Sequence, residues 1–142
     1  MKIEILFVMK LQIITPERIV KEVEVKSVTL PTDLGQITVL PGHQPLLAHL
    51  EEGIATYTED GVIVDLALGG GFAQTDGKLV KILVSKAYGQ DEIDEKLTED
   101  ALARAEKILK ESGSESEKAE ARSLIRRSLI DSKLLKRKRH SV

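Results

Sequence analysis

Three adjacent glycines, Gly69–Gly70–Gly71, are the first candidate for chemistry, because a glycine-rich loop can cradle a phosphate with its backbone N–H groups. That chemistry needs a Lys-Ser/Thr pair and a helix to follow. Phe72 follows instead, inside a strand-like pattern, so the glycines read as a tight bend or close strand packing. His43 and His49 lie six residues apart, with Glu51 and Glu52 downstream. A metal would need more ligands converging on one point; the plainer reading is a structural turn histidine. Ser27 and Ser85 have no nucleophile-elbow context. The acids Glu51–Glu52 and Asp91–Glu92 read as solvated faces, the second pair at a helix start where negative charge is favoured. The chain has no cysteine, which excludes a disulfide scaffold, a thiolate zinc site and a cysteine nucleophile. No acid–base, nucleophilic or metal-binding set emerges, so the expectation is a protein with no catalytic residues and no metal.

Charge is distributed more tellingly than its total of −2 suggests. Residues 1–89 carry 8 basic and 11 acidic side chains, and residues 90–120 carry 5 and 11. Residues 121–142 reverse the balance with 8 basic groups (Arg122, Arg126, Arg127, Lys133, Lys136, Arg137, Lys138, Arg139) against Asp131 alone, a net of +7. A cationic tip on an acidic chain suits an anionic partner. It also suits a solvated helix end, where positive charge meets the helix dipole. Two Phe, two Tyr and no Trp leave few platforms for stacking bases, so nucleic acid is not expected as the partner.

The elements that position these groups follow from punctuation and period. Nine of ten glycines lie at or before Gly89, and no proline follows Pro45. The first 88 residues therefore read as a turn-rich β-unit, and residues 89–142 as a helical one. Leu30–Leu47 holds three of the four prolines and brackets a strand over Gln36–Leu40, so its specification is one of shape. Leu11 and Ile13 alternate with polar neighbours. Val23 and Val25 are apolar at odd positions, whereas Val28 and Leu30 are apolar at even ones. That slip near Lys26–Ser27 predicts a β-bulge in one long strand. Strands are expected over Gly53–Tyr57, Val62–Leu68, Phe72–Thr75 and Leu79–Val84, with hairpin turns at Asp60–Gly61 and Asp76–Gly77. Short strands with such turns predict an antiparallel β-sandwich or barrel with an aliphatic core.

Leu97, Ala101, Ala105, Ile108 and Leu109 fall at helical spacing, and Gly113 takes the C′ position. Ser114 and Glu117 fit a capping box for a second helix, whose stripe is Ala121, Leu124, Ile125 and Leu129. The longest wholly apolar run, Ile5–Met9, is five residues. About 20 are needed to cross a bilayer, so no membrane insertion and no secretory signal are expected.

Five segments in register give the sequence a family resemblance: Met9–Val20 (MKLQIITPERIV), Leu30–Leu47 (LPTDLGQITVLPGHQPLL), Gly53, Gly69–Phe72 (GGGF) and Gly89–Asp94 (GQDEID). Over residues 9–131 the chain resembles bacterial epsilon subunits of the F-type ATP synthase. Met1–Val8 lies outside that pattern, and family members often begin at the equivalent of Met9. The resemblance implies an N-terminal β-sandwich followed by a two-helix antiparallel hairpin. It implies a non-catalytic rotor subunit at the cytoplasmic face of the bacterial inner membrane, coupling proton or sodium flow to ATP synthesis. Its sandwich would dock on the gamma subunit and the c-subunit ring. Asp33, Leu34, Gly35 and Gln36 match the ring-facing loop, although Gln36 replaces a frequent acid and Thr38 a frequent glycine. His43 matches a family histidine that shapes its turn and faces gamma.

The resemblance also implies that the helices inhibit ATP hydrolysis by extending along gamma into the head, where the catalytic beta and alpha subunits become their partners. Arg122, Arg126 and Arg127 would then meet an acidic stretch of beta. No cofactor is required. A regulatory ATP on the folded hairpin would involve Asp94, Arg104, Arg122 and Arg126, although Leu97–Thr98 replaces the family's first Arg-Ala pair and Tyr88 an acid. Two other readings of the residues stay open: a free-standing β-sandwich adaptor with a helical tail, and a nucleotide-sensing binding module.

Overall fold

The computed structural model describes residues 8–138. Lys138 closes the last helix, and Arg139, expected in the cationic tip, lies outside the described residues. The chain divides into two compact units, Met1–Tyr88 and Gly89–Val142.

Among the described residues the first unit holds ten strands: β1 (Met9–Ile14), β2 (Ile19–Val25), β3 (Val28–Thr32), β4 (Gly35–Val39), β5 (Leu46–Leu50), β6 (Gly53–Glu59), β7 (Val62–Leu68), β8 (Gly71–Thr75), β9 (Leu79–Val84) and β10 (Ala87–Tyr88). Their order is β10-β7-β6-β3-β5-β8-β9-β1-β2, with β4 on the other edge of β3. β3 is the seam: Val28 and Thr29 pair with β6, whereas Thr32 pairs with β5. The strands on either side of this seam fold into a sandwich over one core. Leu11, Ile13, Val28, Leu30, Leu50, Val80 and Ile82 are fully buried there, and Tyr57 is the one aromatic side chain among the fully buried residues. The pairings are antiparallel except β1–β9, which is parallel. No hairpin joins those two strands, so nothing local constrains their sense.

The apolar phase slip at Lys26–Ser27 is not a bulge in one strand. The chain bends there, leaving β2 paired with β1 and starting β3 against β4 and β6. Val25 and Val28 both face the core, because the chain changes sheets between them. The irregularity of register lies elsewhere, between Ile13 and Ile14 in the β1–β2 pair. The β6–β7 turn is as expected. Asp60 (φ 51°) and Gly61 (φ 77°) both take the left-handed conformation that matches the twist of a two-residue hairpin.

Close packing explains two of the three glycines, Gly69 and Gly71. A Cβ on Gly71 would overlap the Leu83 carbonyl and stand 2.8 Å from Val84 Cα, and one on Gly69 would overlap Ser85 Oγ. The Gly69 N–H donates to Lys86 O at 2.8 Å, and the Ser85 N–H to Gly70 O at 3.1 Å. These glycines bring β8 against β9 and present no phosphate cradle.

The second unit opens with a 3₁₀ turn, Gln90–Glu92, followed by helices α1 (Glu95–Glu111) and α2 (Glu115–Lys138). Asp94 caps α1, its carboxylate accepting the Leu97 N–H at 2.9 Å. Gly113 does occupy C′ but is not left-handed; α1 ends because Ser112 turns extended (φ −81°, ψ 140°). The capping box is half made. Ser114 Oγ accepts the Glu117 N–H at 3.3 Å, but the Glu117 carboxylate takes the Ser112 hydroxyl at 2.6 Å rather than the Ser114 N–H.

The helices pack along each other through small side chains. Thr98 and Ala105 of α1 are buried, as are Ala121, Ser128 and Leu134 of α2. Of the expected stripes, Ala105 and Ala121 are buried and Ala101, Leu109, Leu124 and Ile125 half-buried, whereas Leu97, Ile108 and Leu129 are exposed, Leu97 by 66%. A close helix pair favours small residues along much of its seam, and Leu97 and Leu129 lie about 100° round from the buried Thr98 and Ser128. Gln90 ties the 3₁₀ turn to α2, its Nε2 donating to Leu134 O at 2.6 Å.

Candidate partner-binding surfaces

The tip of the β3–β4 hairpin is built to hold a shape. Thr32 Oγ1 accepts the Leu34 N–H at 3.2 Å and donates to the Gly35 carbonyl, bracing a turn that consists of Asp33 and Leu34 alone. Gly35 and Gln36, expected in the turn, already belong to β4 and pair with Thr32 and Pro31. All four residues 33–36 are exposed, and Leu34 is 95% so. An aliphatic side chain on a braced turn is available for contact at little entropic cost. Asp33 is held at its base: its N–H donates to His49 O at 3.3 Å, and its carboxylate lies 3.9 Å from His49 Nδ1.

His43 does shape its turn. Its N–H donates to Leu40 O at 3.0 Å, and its Nδ1–H to Gln44 O at 2.7 Å. Gly42 N–H donates to Gly77 O at 2.9 Å, stitching the Pro41–Pro45 turn onto the β8–β9 turn. His49 meets the single acid Asp33, and His43 does not join that pair. Among the described residues no cluster of three or more His, Cys, Asp or Glu could hold a metal.

A surface that the sequence reading missed crosses the outer side of five strands. His49 of β5 pairs with Phe72 of β8, Phe72 with Leu83 of β9, Leu83 with Ile14 of β1, and Ile14 with Ile19 of β2. At about 4.8 Å per strand this row runs for about 19 Å. Phe72 is 52% and Leu83 44% exposed, and the His49 ring meets Phe72 edge-on with centroids 5.5 Å apart. An open cleft of about 400 Å³ adjoins the row, lined by Ile14, Pro16, Gly70, Gly71 and Leu83 among others. The neighbouring row starts at the exposed Leu47 of β5 and is polar from there on, through Gln74, Lys81, Gln12 and Glu22. The only signal in the sequence is that Phe72 and Leu83 sit at outward parity beside the buried Ala73 and Ile82. Joining them requires strand register, which is non-local.

On the helices, Arg104, Arg122, Arg126 and Arg127 are all exposed, and Arg126 Nη2 donates to Ser123 Oγ at 3.2 Å. Asp94 and Arg104 are ten residues apart, about 15 Å along the helix. The small cleft between the helices, about 120 Å³, is lined by Glu95, Glu99, Ser132, Leu135 and Lys136, and none of the expected nucleotide residues borders it. Among the described residues no helix is long and apolar enough to cross a membrane.

Residues 8–90 match the family described as ATP synthase, Delta/Epsilon chain, beta-sandwich domain. The "ATP synthase epsilon chain" of Herpetosiphon aurantiacus is 35% identical over 131 residues, 92% of this chain and 96% of that one. The epsilon chain of Geotalea daltonii is 41% identical over 102 residues, 72% of this chain and 74% of its own. The chain belongs to the epsilon chain family of ATP synthase. The fold is also similar to a chain in the Euglena gracilis mitochondrial ATP synthase, with a TM-score of 0.69 at 22% identity over 92% of this chain and 78% of that chain.

Proposed function

We propose that this chain is a non-catalytic central-stalk subunit that docks its sandwich on the gamma subunit and the c-subunit ring, coupling ion flow to rotary ATP synthesis. The observation that carries this reading is the transverse apolar row from Phe72 to Ile19 beside its cleft. Contiguous exposed apolar surface with a polar flank marks a protein interface. The braced Asp33–Leu34 tip supplies a second, smaller contact and is assigned to the ring; the His43 turn faces gamma. The subunit is peripheral, at the cytoplasmic face of the bacterial inner membrane, and binds no nucleic acid.

The hairpin is the regulatory part. Its buried residues are mostly small (Thr98, Ala105, Ala121 and Ser128), with Leu134 the one large apolar side chain among them, so the apolar area lost on opening is modest. Opened, the helices extend toward the catalytic beta and alpha subunits and inhibit hydrolysis, with Arg122, Arg126 and Arg127 against an acidic stretch of beta. No cofactor is needed for docking. A regulatory ATP would have to rely on Arg104, Arg122 and Arg126, because the Asp94 carboxylate is engaged in capping. Heat of binding on titrating the full chain with ATP would establish that site, and none at millimolar ATP would remove it.

Co-purification tests the central reading. The full chain, expressed with gamma and c subunits, should be recovered in one complex with both. Phe72→Glu together with Leu83→Glu, at exposed positions, should abolish gamma binding while leaving the isolated chain folded. Recovery of the chain free of both partners would favour the stand-alone adaptor instead.

A further inference from the structure

Two aspartates of the chain are followed by glycine, Asp60–Gly61 and Asp76–Gly77, and the chain has no asparagine. An aspartate before glycine can react with its own main chain. The next amide nitrogen attacks the side-chain carboxyl carbon, and glycine, lacking a Cβ, leaves that nitrogen unshielded. Both pairs sit at hairpin turns, the first between β6 and β7 and the second between β8 and β9. Their surroundings differ.

Asp76–Gly77 is held on every side. Its carboxylate accepts the Lys78 and Leu79 N–H groups, each at 2.9 Å. Those donors hold the carboxyl below its usual range, and an ionised carboxylate is a poorer electrophile than the neutral acid. The Gly77 N–H, whose nitrogen would attack, donates to Thr75 Oγ1 at 3.1 Å. Gly77 is also buried, and its carbonyl accepts the Gly42 N–H at 2.9 Å. Asp60–Gly61 has no such hold. Among the described residues no hydrogen bond reaches the Asp60 carboxylate or the Gly61 N–H. Both residues are exposed, and nothing lies within 4 Å of a Cβ placed on Gly61. Asp60 also sits at φ 51°, a conformation that does not favour a residue with a side chain.

We propose that Asp60 is a site of spontaneous isoaspartate formation in the folded protein, and that its surroundings shield Asp76 from the same reaction. The Gly61 nitrogen bonds to Asp60 Cγ, and the carboxyl hydroxyl leaves with the amide proton as water, closing a succinimide. Water then adds to the ring. Breaking the bond between the Gly61 nitrogen and the Asp60 main-chain carbonyl carbon leaves a free α-carboxylate and a chain that continues through Cγ, one methylene longer. No oxidant or cofactor takes part. The turn that joins Glu59 to Val62 is lengthened, next to Val62 and Ile63, which are both more than half exposed. The site belongs to the chain itself and stands whichever partner the sandwich takes.

Prolonged incubation of the full chain at neutral pH tests this, with digestion by a protease that cuts before aspartate but not before isoaspartate. Conversion at Asp60 leaves residues 33–64 uncut, and conversion at Asp76 leaves residues 65–90 uncut. One net hydrogen bond is worth about tenfold, and several hold Asp76, so the 33–64 fragment should accumulate more than about tenfold faster in the folded chain. In guanidinium, with those bonds gone, the two sites should convert at similar rates. Equal conversion of the two in the folded chain overturns the proposal. So does an Asp60 that converts in guanidinium but not in the folded chain, because the turn itself would then protect it. The absence of conversion at Asp60 in either condition overturns it as well.

Discussion

Tyr57 is the most exacting residue of the sandwich. It is 1% exposed, and its hydroxyl has no hydrogen-bond partner among the described residues. Burial pushes its pKa up to about 12, and the nearby Glu59 charge adds to the rise. An unpaired buried hydroxyl is destabilising, so Tyr57→Phe should raise stability by about 1 kcal/mol. The neutral phenol is the form the fold accepts. Its stabilising contribution is whole below pH 10, about where a free tyrosine titrates, and is lost as the pH rises toward 12. Urea unfolding at pH 7.5 and pH 11 should show the parent weakening between them more than Tyr57→Phe does. Asp76 runs the opposite way. The backbone N–H groups of Lys78 and Leu79, each 2.9 Å from its carboxylate, hold its pKa below the usual range. Its contribution is present at neutral pH and is lost on acidification, so Asp76→Asn should flatten the acid limb of the stability profile.

At the scale of elements, Gly71 is the tightest point. Gly71→Ala drives a methyl into the Leu83 carbonyl and should cost about 1–3 kcal/mol, read as a fall in the urea midpoint with an unchanged slope. Elements were legible where the determinant is local. Asp60–Gly61 announces its turn because both residues must tolerate positive φ, and the helical unit after Gly89 follows from period and the absence of proline. They were misread where a neighbour decides. The parity change between Val25 and Val28 is compatible with a bulge or with a change of sheet, and only the pairing partners separate the two. Leu129 has the stronger apolar claim to the seam than Ser128, yet the closeness of α1 gives the place to the smaller side chain. The candidate surfaces divide in the same way. The tip of the β3–β4 hairpin could be located from Pro31 and Gly35, whereas the Phe72–Leu83–Ile14 row could not, since its members are dispersed in sequence and meet only through register.

For the whole molecule, charge separation is the feature to test. Residues 121–142 carry a net +7 on a chain of net −2. Exchanging Arg122, Arg126 and Arg127 together for glutamine would reduce that to +4, and none of the three is buried. Exposed charges act over a screening length of about 10 Å at 0.1 M salt. The assembled synthase bearing this variant should therefore hydrolyse ATP severalfold faster than with the parent chain, and the residual inhibition should respond less to added salt. Hydrolysis unchanged by the triple exchange would remove these arginines from the inhibitory contact.

The parallel pairing of β1 with β9 sets an order on how the chain acquires its structure. Lys10–Ile14 must wait for Leu79–Leu83, some seventy residues later. During synthesis β1 has only β2 beside it until nearly the whole sandwich has left the ribosome. Closing so long a loop is slow, and it exposes the apolar faces of Leu11 and Ile13 in the interval. The helical unit emerges after that closure becomes available, so the sandwich can be complete before the hairpin exists.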